Sequence, residues 1–362
     1  MTKQVETKYL LAMAANPKIG SQTLKKILAG FADPEEVWSA SASEIRQRLG
    51  STIADNVIEA RQKYSPDTEL EKLAKLDIGY MTIYDKIFPP LLREIPDCPA
   101  ILFVRGNPEA LKFPSIAIVG SRKYSNYGAK IAAKLAAECV SNGLAVVSGL
   151  ALGIDAIAHQ SALDHQGLTI GILGCGLNQI YPVSNYHLGE EIIAKGGVIV
   201  SEFPLGVPPM KQNFPMRNRI IAGLSLGTLV IEAAESSGSL ITAGLALEYN
   251  REVFAVPGNI DSQTSAGTNK LIKDGAIPTT EVGDILRVLN IEEKSSASRA
   301  KEILPETAEE KIIAGILQAG EKSGNELVKL AKLNVITLNS TLTLMEMKGM
   351  VENIGGGRYK LK

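Results

Sequence analysis

Apolar positions along this chain follow two different periods, and the switches between them divide it. From about Met1 to Tyr64 the apolar residues recur at helical spacing, as in LKKIL and EVWSA, with short turns between. Pro17-Lys18-Ile19-Gly20 and Leu49-Gly50-Ser51 each place a glycine turn ahead of a helix, with Ser21 and Ser51 as N-cap candidates. Such turns can aim backbone N–H groups at a phosphate, or be ordinary corners of a small bundle. From about Asp67 to Pro114 the pattern is transitional. GYMTIY and AILFVRG read as short strands, and the proline-rich FPPLLREIPDCPA between them reads as a loop. From about Ser115 to Asn290, short Val- and Ile-rich runs alternate with helix-period segments. IAIVG, LAVVSG, TIGILG, GVIVSE, GTLVIEA and EVFAVPG predict strands. NYGAKIAAKLAAECVSN, GIDAIAHQSAL, HLGEEIIAK, MRNRIIAGLS and SLITAGLALEYN predict helices. This alternation predicts an α/β fold: an extended Rossmann-like parallel sheet with helices on both faces.

The C-terminal region changes pattern again. Residues 291–304 are polar with little periodicity and read as a linker. EEKIIAGILQAG, SGNELVKLAKL and LNSTLTLMEMKG then predict three helices, and MVENIGGGRYKL a hairpin, which is the winged-helix pattern. The expected organisation is a helical domain over 1–64, a Rossmann-like domain over 67–290, a linker over 291–304 and a winged helix over 305–362. The presumed recognition helix, about Leu338 to Lys348, has one basic residue and one acidic one, Glu346. Its Leu342, Leu344, Met345 and Met347 suggest packing or a protein contact more than groove reading.

Composition narrows the chemistry. The 362 residues are 45% hydrophobic and 21% charged, with a formal net charge of −1. No global basic field attracts nucleic acid, so any anion site must be a local concentration of cations and backbone N–H groups. Cys98, Cys139 and Cys175 are odd in number and lack CxxC spacing, which argues against a disulfide framework or a thiolate zinc site. His165 and His187 have no metal-ligand spacing. Asp155 and His159, four apart on a predicted helix, read as a hydrogen-bonded pair fixing that helix against the sheet rather than as an acid–base pair. The N-terminus lacks a signal-peptide pattern, and no apolar run reaches 18 residues. A cytoplasmic protein without membrane span, metal or cofactor is expected.

Parallel sheets bind ligands at the carboxyl ends of their strands. Small residues follow several of the predicted strands: Gly120-Ser121-Arg122, Ser148-Gly149, Gly174-Cys175-Gly176, and the Ser237-Gly238-Ser239 stretch that opens a helix. Glycine lets backbone approach a ligand, and helix N-termini and hydroxyls donate to anions. Arg122 adds a planar fork suited to phosphate oxygens. GxGxxG and GxxxxGK[ST] are both absent, which argues against ordinary NAD binding and ATP hydrolysis. Arg217-Asn218-Arg219 lies beside Phe214 at a helix start. Basic groups next to an aromatic suit single-stranded nucleic acid, with Phe214 stacking under a base. A packed loop phenylalanine and structural ion pairs fit the same residues.

IAIVGSRKYSNYG, VVSGLALGIDAIAH, FPMRNRIIAGLS, EAAESSGSLITA and VFAVPGNIDSQTSAGTNKLIKDGA together resemble the successive motifs of the DNA-processing protein A (DprA/Smf) family, over about Asp67 to Asn290. The resemblance implies a non-catalytic, dimerising protein. Such a protein binds single-stranded DNA, protects it and loads the RecA recombinase during natural transformation. On matching positions it implies a DNA groove lined by Ser121, Arg122, Arg217, Asn218, Arg219 and Ser237–Ser239, shaped by Gly120 and Gly149, with Lys270 a further candidate. Leu152 departs from a commoner basic residue, and Gln160-Ser161 from a Gly-Ala pair. The competing readings are a nucleotide-signal sensor and a phosphoribohydrolase-type enzyme. The second is weakened because Glu232 is shifted by one residue from that motif's position, which turns a strand side chain to the opposite face.

Overall fold

The structure, a computed structural model, describes residues 2–31, 33–293, 307–318, 320–348 and 350–361. Met1–Ile291 form one compact unit and Glu292–Lys362 another. From residue 294 onward, the linker expected over 291–304 lies outside the described residues.

The first unit is built on one nine-stranded sheet. Its strands are β1 (Gly79–Thr82), β2 (Ile101–Gly106), β3 (Ser115–Val119), β4 (Ala145–Ser148), β5 (Thr169–Ile172), β6 (Val198–Ser201), β7 (Gly227–Val230), β8 (Glu252–Ala255) and β9 (Ile277–Pro278). Their spatial order is β1-β2-β6-β5-β4-β3-β7-β8-β9. Strands β3 to β9 are mutually parallel. The two strands of the transitional segment join the same sheet, with β2 antiparallel to β6 and β1 antiparallel to β2. An antiparallel edge on a parallel sheet is a common arrangement.

Alternation along β3 explains the helices on both faces. Ile116 and Ile118 belong to one apolar core with Leu135 of α8 (Asn126–Ser141) and Ala158 of α9 (Ile154–Asp164). Ala117 and Val119 belong to another with Ile220 and Ile221 of α11 (Asn213–Leu224) and Ala243 of α12 (Gly238–Glu248). The N-terminal helices, α1 (Thr2–Ala14) to α6 (Pro66–Lys75), share a third core with the sheet, joining Leu10, Ile27 and Val57 to Phe103, Leu173 and Ile199.

Two local expectations change. FPPLLREIPDCPA contains a helical turn, α7 (Pro90–Glu94), because proline is tolerated in a first turn where its missing N–H is not needed. Gly20 and Gly50, not Ser21 and Ser51, are the N-caps; the two serines are the first helical residues. Ser21 Oγ instead accepts from the Ala100 amide at 2.7 Å, pinning α2 (Ser21–Gly30) beside β2. The short strand β9 carries too few residues to show a period.

The second unit packs helices over Ala308–Leu317, Gly324–Ala331 and Val335–Met347 with a three-stranded sheet of Lys322–Ser323, Val351–Gly355 and Arg358–Leu361. Leu338, Leu342 and Met345 face its core, while Val335, Ile336 and Leu344 are exposed. Lys348 Nζ is paired with Glu310 at 2.9 Å. No helix among the described residues is long and apolar enough to cross a membrane.

His159 fastens α9 to the sheet, but not as one of a hydrogen-bonded pair with Asp155: Asp155 accepts from the Gly149 amide, and His159 bonds Thr169. Its Nδ1 lies 2.6 Å from Thr169 Oγ1, whose hydroxyl donates to the Val146 carbonyl, so Nδ1–H donates to Thr169. Burial, aided by the charge of Arg217, pushes the imidazole pKa down to about 3. The unfolded chain therefore binds a proton at His159 before the folded one does. Stability present above the ordinary histidine pKa of about 6.5 is lost as pH falls toward about 3. Thermal melting of His159→Gln should lose less stability between pH 6.5 and 4 than the wild type. Asp155 titrates in both proteins, so equal slopes would refute a neutral buried His159.

Candidate nucleic-acid interface

Strands β3 and β7 are neighbours, and the helices that follow them, α8 and α12, lie on opposite faces. This is a topological switch point, where a parallel sheet opens a crevice at its carboxyl edge. The loops after β3, β4, β5 and β7 meet at this rim.

A buried carboxylate orders the loops nearest the switch point. Glu232, just beyond β7, is 2% exposed. Its carboxylate accepts from the Ser125 amide at 2.9 Å, the Ser125 hydroxyl at 2.6 Å and the Thr264 hydroxyl at 3.1 Å. Its backbone carbonyl accepts from the Ser121 amide at 2.8 Å. Ser125 in turn caps α8 through the Gly128 amide. One side chain thus fixes the Ser121–Ser125 loop and the start of α8. Sequence reasoning considered Glu232 only for another chemistry. The available signal was a lone acid closing a Val/Ile strand, with hydroxyl residues in the facing loops.

A buried cation does the corresponding work at β4 and β5. Arg217 was expected to line the groove, but the structure puts it inside at 4% exposure. It shares the sheet-facing stripe of α11 with Ile220, Ile221 and Leu224, at helical spacing. Its guanidinium donates to the Gly149 carbonyl at 2.7 Å and to the Ile172 carbonyl. Burial lowers its pKa to about 10, against the opposing pull of Asp155. Asp155 Oδ2 accepts from the Gly149 amide at 3.0 Å, and burial raises its pKa while Arg217 opposes the rise. A Cβ on Gly149 would lie 2.5 Å from Arg217 Nη2 and 2.7 Å from Asp155 Oδ2, so only glycine admits both. Gly120 likewise admits the Ile154 side chain, 2.7 Å from where a Cβ would stand.

Arg219 is also interior, 8% exposed and paired with the buried Glu202, with Asp97 at 3.6 Å. Neither Arg217 nor Arg219 presents a free fork to solvent. Asn218 is half-buried between them and bridges two helices. It accepts from Arg217 Nε at 3.3 Å and donates to the Gly238 carbonyl at 3.4 Å. Ser237 caps α12, accepting from the Ser239 amide at 3.4 Å, with the two hydroxyls 2.7 Å apart. Gly238 is exposed at that helix start.

Arg122 is the exposed arginine of the expected set. Its guanidinium lies over the Phe214 ring, 5.6 Å from the centroid. Phe214 is half-buried, close to Gly174, and its ring stacks on Tyr181 at 5.8 Å and 26°. Tyr181 was not among the expected residues. Ser121 is half-buried, its hydroxyl joined to the Lys123 backbone. The structure therefore brings Arg122, Phe214, Gly149, Arg217, Asn218 and the Ser237–Ser239 loop into one connected rim. Lys270 is exposed on α13 (Ala266–Lys273), and no hydrogen bond or ion pair among the described residues joins it to the others.

Comparison with known proteins agrees with this architecture. The family model described as DNA recombination-mediator protein A matches residues 79–290. Protein Smf of Synechocystis sp. is 33% identical over 98% of both chains. The X-ray structure of DNA processing protein A from Streptococcus pneumoniae is 38% identical with a TM-score of 0.68, covering 78% of this chain and 97% of that one. A DNA processing protein A structure from Helicobacter pylori, described for its unique single-stranded DNA binding mode, is 32% identical with a TM-score of 0.52. It covers 58% of this chain and 95% of that one.

The two kinds of arginine separate in a stability measurement. Arg217→Ala leaves buried carbonyls and Asp155 without their cation and should cost on the order of 3 kcal/mol in urea unfolding. Arg122→Ala should change stability by less than about 0.5 kcal/mol, as an exposed substitution. Equal effects would show that the interior placement of Arg217 is wrong.

Proposed function

Since this chain belongs to the DNA recombination-mediator protein A family, we propose that it is a single-stranded DNA-binding mediator whose binding surface is the carboxyl rim of its sheet. The observation that carries the reading is the exposed Arg122 guanidinium over the Phe214 ring, beside the helix starts and small-residue loops of the switch point. A cation for the backbone next to an aromatic for the bases is the pairing that single strands require. At the start of α12 the exposed Gly238 lets a phosphate approach the helix N-terminus, while the Ser239 amide is taken by Ser237 and Ser239 itself is buried. Single-strand binding by the Helicobacter pylori relative supports the same reading.

Family membership extends the proposal. The protein protects incoming strands and loads RecA onto them during natural transformation, and it acts as a homodimer in the cytoplasm. Its three cysteines are free and buried, which suits a reducing compartment. It acts by binding, without catalysis. The phosphoribohydrolase alternative gains no support from Glu232, whose oxygens are engaged by Ser125 and Thr264.

Titration of oligo-dT against a matching duplex at two salt concentrations tests the reading. The single strand should bind more tightly, with a log–log salt slope of roughly −0.7 per phosphate neutralised. Arg122→Ala should weaken binding roughly tenfold, for all sequences alike, and make the slope shallower by about one phosphate. Duplex preference or a slope near zero would overturn the proposal. Free adenine released from AMP would favour the enzyme instead.

A further inference from the structure

We propose that Tyr181 is a base-stacking residue of this site, holding the nucleobase next to the phosphate that Arg122 contacts. The assignment rests on the single-strand reading above and deepens it. Phe214, the aromatic that the sequence singles out, is the inner member of a three-part stack. It is half-buried close to Gly174, with Arg122 at 5.6 Å and Tyr181 at 5.8 Å from its ring. Tyr181 is the outer member, 41% exposed. In this proposal an incoming base lands on the exposed part of the Tyr181 ring while Phe214 keeps its contact with it.

The tyrosine is also held ready. Its ring leans on Phe214 at 26°. The loop that carries it is anchored by the buried Asn185, whose amide N–H donates to the Pro182 carbonyl at 2.9 Å. The Asn185 side chain donates to the Leu150 and Ala151 carbonyls at 2.8 and 3.1 Å, tying the loop to the one after β4. A platform fixed before binding loses little freedom when a base lands on it.

Its surroundings fit a strand track. Among the described residues six aromatic side chains are strongly exposed: Tyr84, Phe113, Tyr124, Tyr127, Tyr181 and Tyr186. Four of them lie in the segments that link β3 to α8 and β5 to α10 (Tyr186–Ala194), or at the starts of those helices. Arg122 lies in the first of these segments, and Tyr181 in the second. The 5.6 and 5.8 Å contacts keep the guanidinium within about 12 Å of the Tyr181 ring, a span that adjacent nucleotides of an extended strand cover.

The test measures oligo-dT affinity of Tyr181→Ala, Tyr181→Leu and Tyr181→Phe, with melting temperature recorded for each. Strands carrying a single 2-aminopurine report stacking by fluorescence quenching. Loss of one stacked base should weaken Tyr181→Ala roughly 5- to 100-fold with the salt slope unchanged, unlike Arg122→Ala. Tyr181→Leu keeps apolar contact with Phe214 and should melt like the wild type, yet bind as weakly as the alanine variant and lose the quenching. Tyr181→Phe should bind as the wild type does. Wild-type affinity and quenching in the leucine variant would overturn the assignment alone. Failure of the wild type to bind oligo-dT would overturn the single-strand reading with it.

Discussion

The rim of this sheet depends on a guanidinium that water does not reach. Arg217 joins the carbonyls of Gly149 and Ile172, at the ends of β4 and β5, to the start of α11. Strand ends leave carbonyls that need donors once buried. An arginine supplies several donors in one plane, which a lysine does not. Asp155 on the far side of Gly149 is the nearby countercharge, and it holds the Gly149 amide as well. Removing either charge would strand the other in a low-dielectric interior. The glycine between them is as much a part of the arrangement as the charges.

Glu232 is the acidic counterpart across the switch point. It collects an amide and two hydroxyls from segments far apart in the chain. Together the two residues fix the loops after β3, β4, β5 and β7 before any ligand arrives. This division of labour explains why three charged groups of one neighbourhood have different fates. Arg217 and Glu232 face inward and set geometry, whereas Arg122 sits on a loop they hold and faces solvent. Preorganisation of this kind reduces the ordering that binding would otherwise require.

Much of the fold was legible because it is written in periods. Val- and Ile-rich runs, helix stripes and glycine turns located the six principal strands and the helices between them. Interior polar chemistry has no such period. Arg217-Asn218-Arg219 reads as a basic surface cluster, and only the register of α11 shows that both arginines turn inward. The helical spacing of Arg217 to Ile220, Ile221 and Leu224 is visible, but a charge at a core-facing position runs against the usual preference, and Arg219 is drawn inward by Glu202 instead. Tyr181 was illegible for the opposite reason. Its place in the rim comes from a ring contact with Phe214, thirty-three positions away on α11, and the loop that carries Tyr181 has no period. The proline-rich segment misled because proline breaks helices in their interiors but opens them at their starts.

These placements alter what the rim can offer a strand. With Arg217 and Arg219 interior, Arg122 is the exposed arginine of the expected set, and the formal net charge of −1 adds no global basic field for phosphates. Counterion release is then limited, and a larger share of affinity must come from aromatic faces and backbone donors. Stacking tolerates any base, because every base has a π-face. A protein that must accept strands of any sequence is better served by that balance than by base-edge hydrogen bonds. On the proposed reading the low charge has a second consequence: duplex DNA, whose bases are already stacked on one another, would find neither a basic field nor a use for the exposed rings. The proposed preference for single strands thus rests on where the arginines are buried as much as on where the aromatics are exposed.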